Sequence, residues 1–168
     1  MPLIRSEEPR DVAAIQAVHS AAFPTVMEAQ LVDALRAAGR LTVSLVAEER
    51  GRIVGHVAFS PVTVEGAEDG LGLGPVAVLP EFQRRGIGGG LIRGGLAAAE
   101  RLGTGFVVVL GEPAYYGRFG FRPAAEWGLR DEYGGGPAFQ AMELRPGALA
   151  HISGLVCYAP EFALVGGE

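Results

Sequence analysis

A mixed α/β fold with a partly parallel sheet is predicted by three features of the chain. Two segments with helical spacing of apolar residues come first. A run of β-rich segments joined by short polar turns follows, the pattern of antiparallel pairing. Then comes one crossover: an apolar strand, a glycine-rich helix, and the apolar run Gly105-Phe106-Val107-Val108-Val109-Leu110. Parallel neighbours need such a helical connection.

Leu3 to Arg5 reads as a short first strand. A helix begins near Pro9, since proline fits a first helical turn. Val12, Ile15, Val18 and Ala22 recur at helical spacing, and Pro24 ends the segment. Thr25 and Glu28 have the spacing of a capping box for a second helix. That helix buries Leu31, Val32, Leu35 and Ala38 and stops at Gly39. Leu41 to Glu49 and Ile53 to Val64 are strands around the hairpin turn Glu49-Arg50-Gly51-Arg52, and Glu65 to Gly70 is polar and reads as another turn. Leu71 to Leu79 carries no polar side chain, as suits a strand covered on both faces. The glycine-rich helix runs from about Gly88 to Leu102 and buries Leu91, Ile92, Leu96, Ala99 and Leu102. Gly94 and Gly95 sit in its middle at roughly 1 kcal/mol each relative to alanine, a cost that close packing on the sheet rationalises. Gly105 to Leu110 is a buried strand, Pro113 to Arg118 a short helix, and Phe139 to Leu144 and Leu155 to Tyr158 are further strands.

With 168 residues the chain forms a single domain, residues 1–168. Hydrophobic residues at 49% and charged residues at 20% exclude disorder. The formal charge of −5 argues against a nucleic-acid binder, which needs a basic face, and suits a neutral or cationic partner. One cysteine, Cys157, rules out an internal disulfide or a cysteine-rich zinc site, and it reads as a small core residue rather than a nucleophile. All 14 basic residues are arginine, so there is neither a P-loop lysine nor a lysine Schiff base. The start lacks the layout of a signal peptide, and no apolar stretch of about 18 residues would span a membrane. The expectation is a cytoplasmic protein without membrane or nucleic-acid partners and with no metal, since no ligand set clusters. The oligomeric state stays open, a homodimer included.

The densest signal is Gln83-Arg84-Arg85-Gly86-Ile87-Gly88-Gly89-Gly90-Leu91-Ile92, between a buried strand and an amphipathic helix. Glycines let the backbone approach a ligand, and the first amides of the helix are unpaired donors reinforced by the helix dipole. Arg84 and Arg85 add guanidinium groups, so the segment is an anion site suited to phosphate. No Gly-Lys-Ser/Thr follows, which excludes a Walker loop. A dinucleotide fingerprint begun at Gly86 and Gly88 would need glycine at Leu91.

Gln83-Arg84-Arg85-Gly86-Ile87-Gly88 resembles the Gln/Arg-x-x-Gly-x-Gly/Ala pyrophosphate loop of the GNAT acyltransferase superfamily. Gly74-Pro75-Val76-Ala77-Val78-Leu79-Pro80-Glu81-Phe82 is similar to that family's fourth strand and its exit. Tyr115-Tyr116-Gly117-Arg118-Phe119-Gly120-Phe121 resembles its tyrosine segment ending in Gly-Phe. The resemblance covers Leu71 to Phe121 in the right order, and Gly111 to Phe121 looks most like a bacterial branch of predicted N-acetyltransferases. It implies a GNAT-like mixed sheet: antiparallel N-terminal strands, a splayed central parallel pair and flanking helices.

It also implies an acetyl-CoA-dependent transferase that moves acetyl directly to a primary amine of a small molecule or peptide. The alternative is a noncatalytic acyl-CoA-binding or sensing module on the same fold. Under this resemblance, Val76, Ala77 and Val78 pair with the pantetheine arm like an added strand, beside a bulge at Gly72, Gly74 and Pro75. Val76 offers its amide to the thioester oxygen. Gln83, Arg84, Arg85, Gly86, Ile87, Gly88 and Gly89 hold the pyrophosphate. Tyr116, four residues before Gly120, is the proton donor to the leaving thiolate, and Tyr115 serves packing or acceptor contact. The general base is open among Glu112, Glu28, His56 and water. Glu112 leads from its place after the fifth strand, where it can equally cap the short helix. His19 and His151 show no partner pattern. Arg118 and Arg122 read as surface residues rather than contacts to an adenosine 3′-phosphate. Trp127, Tyr133 and Gly134 to Gly136 form either a mobile rim over the acceptor or plain connecting structure.

Overall fold

In the computed structural model, which describes residues 1–65 and 67–166, the chain divides into two units. The first comprises Met1–Phe59, Gly74–Gly95 and Glu161–Glu168, the second Ser60–Leu73 and Leu96–Pro160. The first unit opens with β1 (Leu3–Ser6), α1 (Val12–Ala22), α2 (Met27–Ala37) and β2 (Val43–Glu49). It continues with β3 (Arg52–Val64) up to Phe59, the end of β4 (Ala67–Val78) from Gly74, and the start of α3 (Ile87–Arg101) through Gly95. Its strands follow the order β1-β2-β3-β4. β1 runs antiparallel to β2, Leu3↔Glu48 to Ser6↔Leu45, and β2 antiparallel to β3, Val43↔Phe59 to Glu49↔Arg52.

Helices cover both faces of this sheet. A Cβ at Gly55 would meet Leu91 at 3.0 Å and Ile87 at 3.3 Å, so α3 lies on that face. The next residue, His56, points the other way and reaches His19 of α1, as the two-residue period of a strand requires. Ile15 and Val18 of α1 and Leu31, Val32 and Leu35 of α2 are buried in the first unit's core, as are Val46, Val54, Leu91 and Ile92.

Local chemistry accounts for most of the element ends. The first turn before α1 is a 3₁₀ turn, Pro9–Asp11, closed by a capping box between Glu8 and Asp11. The box expected at Thr25 and Glu28 does not form. α2 starts at Met27 with Val26 as its cap, and Thr25 Oγ1 accepts only from Met27 N at 3.3 Å. Thr25 sits one residue before the cap, and Val26 at the cap has no side-chain oxygen to offer the first turn. The C-terminal stop of α2 is as read: Gly39 has φ 72, its N–H donates to Arg36 O, and Arg40 N donates to Leu35 O at 2.8 Å. These are the two bonds of a Schellman motif. Ala38 is exposed rather than buried, since it is already the cap.

The second unit holds the remainder of β3, β4 and α3, then β5 (Phe106–Leu110), α4 (Pro113–Gly117), β6 (Arg122–Pro123), β7 (Leu129–Asp131), β8 (Phe139–Glu143) and β9 (Gly154–Cys157). The last helix, α5 (Ala163–Gly166), belongs to the first unit and packs on α2. β4 and β5 are the parallel pair, in register from Gly70↔Phe106 to Leu73↔Val109. β8 runs antiparallel to β5, β6 pairs with β8, and β9 pairs with both β3 and β7.

The turn expected over Glu65 to Gly70 is shorter, because β4 already begins at Ala67; Gly66 lies outside the described residues. Continuous burial of β4 extends over Gly70–Leu73; residues 74–76 are half-buried and Ala77 is buried again. Cys157 is half-buried on β9 rather than a core residue. β6 and β7 are too short to show any periodicity in the sequence. The Gly134–Gly136 segment is pinned: the Asp131 carboxylate accepts from Tyr133 N at 3.0 Å and Gly135 N at 2.8 Å. Among the described residues no helix is long and apolar enough to cross a membrane.

Candidate active site

The first unit carries the Gln83–Gly89 loop read as an anion cradle. After β4, Pro80–Phe82 makes one 3₁₀ turn, and the chain then enters α3 at Ile87. Two residues make the reversal. Arg84 adopts φ 64 and Gly86 φ 82, and the Gly86 carbonyl accepts from Gly90 N at 3.0 Å to start the helix. The amides of Ile87, Gly88 and Gly89 are therefore in the first turn, where a helix has no internal acceptor for them. Gln83 is exposed, and its Nε2 donates to Val78 O at 2.9 Å, bracing the loop on the end of β4. Arg85 is braced too, donating from Nη2 to Glu81 O at 3.1 Å. Val76, Ala77 and Val78 lie on the last part of β4, with Ala77 buried and the other two half-buried. The Gly74–Pro75 peptide just before them is cis.

The second unit carries the phenol. Tyr116 stands on α4 and is 9% exposed. Its ring packs edge-on to Tyr115 at 5.0 Å and Phe121 at 5.9 Å. It lies so close to Gly111 that a Cβ there would sit 2.8 Å from Tyr116 Cδ2. Burial, with Tyr115 adding to it, pushes the phenol up to about 12, so it stays protonated across the neutral range. Tyr115, read as serving packing or acceptor contact, packs on Tyr116 and on Phe119. Glu112 is exposed and caps α4, its Oε1 accepting from Ala114 N at 3.3 Å. Arg118 lies over the Tyr115 and Phe119 rings, and Arg122 pairs with Glu126 at 2.7 Å.

His56 is removed as a candidate base. It is fully buried, and both ring nitrogens are engaged. Ser44 Oγ donates to the Glu7 carboxylate at 2.5 Å, so it accepts from His56 Nε2–H at 2.8 Å. His56 Nδ1 must then accept from His19 Nε2–H, also at 2.8 Å. Glu7 ends the chain in a two-point pair with Arg36. Sequence reasoning missed the His19–His56 pair because 37 residues separate its members. Glu28, freed from the capping role, is half-buried, and its Oε1 has no hydrogen-bond partner among the described residues.

Burial holds both imidazoles neutral, with His19 lowered to about 4 and His56 well below its ordinary value. The unfolded chain takes up protons below about pH 6.5 and the folded one does not, so stability falls as pH drops from 6.5 toward 4. The expected loss by pH 4.5 is on the order of 2–3 kcal/mol for each imidazole, read as a falling urea midpoint. A midpoint that is flat over this range would mean the imidazoles titrate normally.

Residues 40–123 match the family model of the GNAT acetyltransferase domain. The chain is 41% identical over 163 residues to the uncharacterised N-acetyltransferase YhbS of Escherichia coli, covering 95% of this chain and 98% of that protein. The chain belongs to the GNAT acetyltransferase family. It is thus an acyltransferase by family. A crystal structure of Escherichia coli YhbS in complex with CoA matches with a TM-score of 0.92 at 41% identity, over 96% of this chain and 91% of that one. A GNAT acetyltransferase from Brucella melitensis in complex with acetyl-CoA matches with a TM-score of 0.82 at 43% identity, over 96% and 98%. Among the described residues no group of three or more His, Cys, Asp or Glu is placed to hold a metal.

Proposed function

We propose that this GNAT enzyme takes acetyl from acetyl-CoA and passes it directly to a primary amine. The observation that carries the reading is the turn into α3, where Arg84 and Gly86 take left-handed backbone angles so that three consecutive amides begin a helix without acceptors. Such a terminus favours a diphosphate. The CoA and acetyl-CoA held by the two similar proteins are the ligand of that chemistry. In this reading Gln83, Arg84, Arg85, Gly86, Ile87, Gly88 and Gly89 form the diphosphate site, with Gln83 and Arg85 shaping the loop as well. Val76 to Val78 pair with the pantetheine amides, and Val76 N–H faces the thioester oxygen. The thiolate leaves onto the proton of Tyr116, and Glu112 takes the proton of the attacking amine. The reaction runs within one catalytic domain, in the cytoplasm, where acetyl-CoA is supplied.

The test is thermal unfolding with each nucleotide, followed by thiol release across a panel of amines. Acetyl-CoA at about 100 times its Kd stabilises by about 2.7 kcal/mol, roughly 5–10 °C for a chain of this size, while ATP and NAD leave the midpoint unchanged. Equal stabilisation by ATP would contradict the loop assignment. Stabilisation without thiol release for any amine would make the chain a binding module.

A further inference from the structure

The first unit holds a second basic feature beside the cradle. A basin of ≈ 460 Å³ is lined by Glu49, Arg50, Arg52, Phe82 and Arg85. The guanidinium groups of Arg52 and Arg85 lie over the Phe82 ring, 5.5 and 5.1 Å from its centroid, so the ring holds two cations on one wall. Arg85 is shared with the loop that leads into α3. Arg50 is the third cation, and its backbone is unusual. It takes φ 52 at the first position of the β2–β3 hairpin turn, where Asn, Asp or Gly is the favoured residue. Among the described residues Arg50 and Arg84 are the two non-glycine residues with positive φ. Backbone outliers of this kind concentrate at functional sites.

Two cations of this basin, Arg50 and Arg52, are lightly engaged. Among the described residues Arg50 makes no hydrogen bond or ion pair. Arg52 meets Glu81 at 3.7 Å with both side chains more than half exposed, a contact that binds weakly in water. Arg122, after α4, differs: it is paired with Glu126 at 2.7 Å.

We infer that this basin holds the 3′-phosphate of the coenzyme A donor, with Arg50 and Arg52 as its ligands. The inference rests on the proposed reading that α3 receives the donor's diphosphate. A phosphomonoester dianion one ribose away from that diphosphate is the group whose oxygens match guanidinium forks. It is also what distinguishes coenzyme A from its dephospho form.

The experiment measures Kd for CoA and for dephospho-CoA by calorimetry at one ionic strength. The proteins are the wild type, Arg52→Ala, Arg50→Gly and the double variant. Arg50→Gly removes the guanidinium while relieving the left-handed residue, so its unfolding midpoint rises and misfolding cannot mimic lost binding. The wild type should prefer CoA by roughly tenfold or more, as expected for hydrogen bonds between charged groups. The double variant should bring that ratio to about one, with the affinity for dephospho-CoA unchanged. A ratio that survives in the double variant, or a wild type with no preference, overturns the basin assignment and leaves the diphosphate site standing. A wild type that binds neither compound overturns both.

Discussion

Tyr116→Phe lowers kcat for acetyl transfer by about 100-fold and leaves KM for acetyl-CoA within about twofold, measured with the amine that gives fastest thiol release. The substitution is clean for a structural reason. What holds Tyr116 in place is its ring, edge-on to Tyr115 and Phe121 and closed over Gly111. Phenylalanine keeps all of that and loses only the hydroxyl, so the melting temperature should move by no more than about 3 °C. Burial pushes the phenol up to about 12. It therefore holds its proton at every working pH, and an ionisation limb between pH 6 and 9 must come from the amine or from the base. Removing a donor used only as the thiolate departs lowers kcat and kcat/KM together. If kcat is unchanged in the phenylalanine variant, the thiolate leaves without help from this residue. Glu112→Gln complements the test: glutamine still offers an oxygen to Ala114 N, so a loss of rate with α4 intact reports the base rather than the cap.

The turn into α3 was legible because it is written in residue types over ten consecutive positions. Glycines with paired arginines, placed between a buried strand and an amphipathic helix, leave few other readings. The Schellman stop at Gly39 and the hairpin at Arg50-Gly51 were legible for the same reason, since φ is set locally. Legibility ended where tertiary contacts decide. Thr25 and Glu28 have capping-box spacing, yet the helix starts one residue later, with Val26 at the cap. Glu8 and Asp11 form the box instead, with acidic side chains in both places. The His19–His56–Ser44–Glu7–Arg36 chain joins five separate segments of the first unit. Nothing at any one of its positions announces it, because burial and pairing come from the folded strands. Gln83 looked like a ligand residue and is a brace as well, a role visible only once Val78 O is beside it.

Gly95→Ala should lower the melting temperature by about 5 °C, although alanine is the better helix former. Helix propensity favours alanine by roughly 1 kcal/mol, so the sign turns on space. A Cβ at Gly95 would run into the Phe59 ring, with Cζ at 2.6 Å and Cε1 closer still. Phe59 is fully buried on β3 and has no solvent side to swing toward. Overpacking of this kind costs about 1–3 kcal/mol and at a contact this short exceeds the propensity gain. Two neighbours on the same helix serve as controls. At Gly90 nothing lies within 4 Å of the added Cβ, so Gly90→Ala should raise the melting temperature by about 2–3 °C. At Gly94 the Cβ would meet Ile4 Cγ2 and Leu45 Cδ1, each at 3.3 Å, both ends of side chains that can turn aside. Its effect should fall between the other two. The ordering of the three variants tests the register of α3 on the sheet, and hence the placement of the cradle at its N-terminus. A helix rotated by one residue would carry the clash to Gly94 and leave Gly95 tolerant.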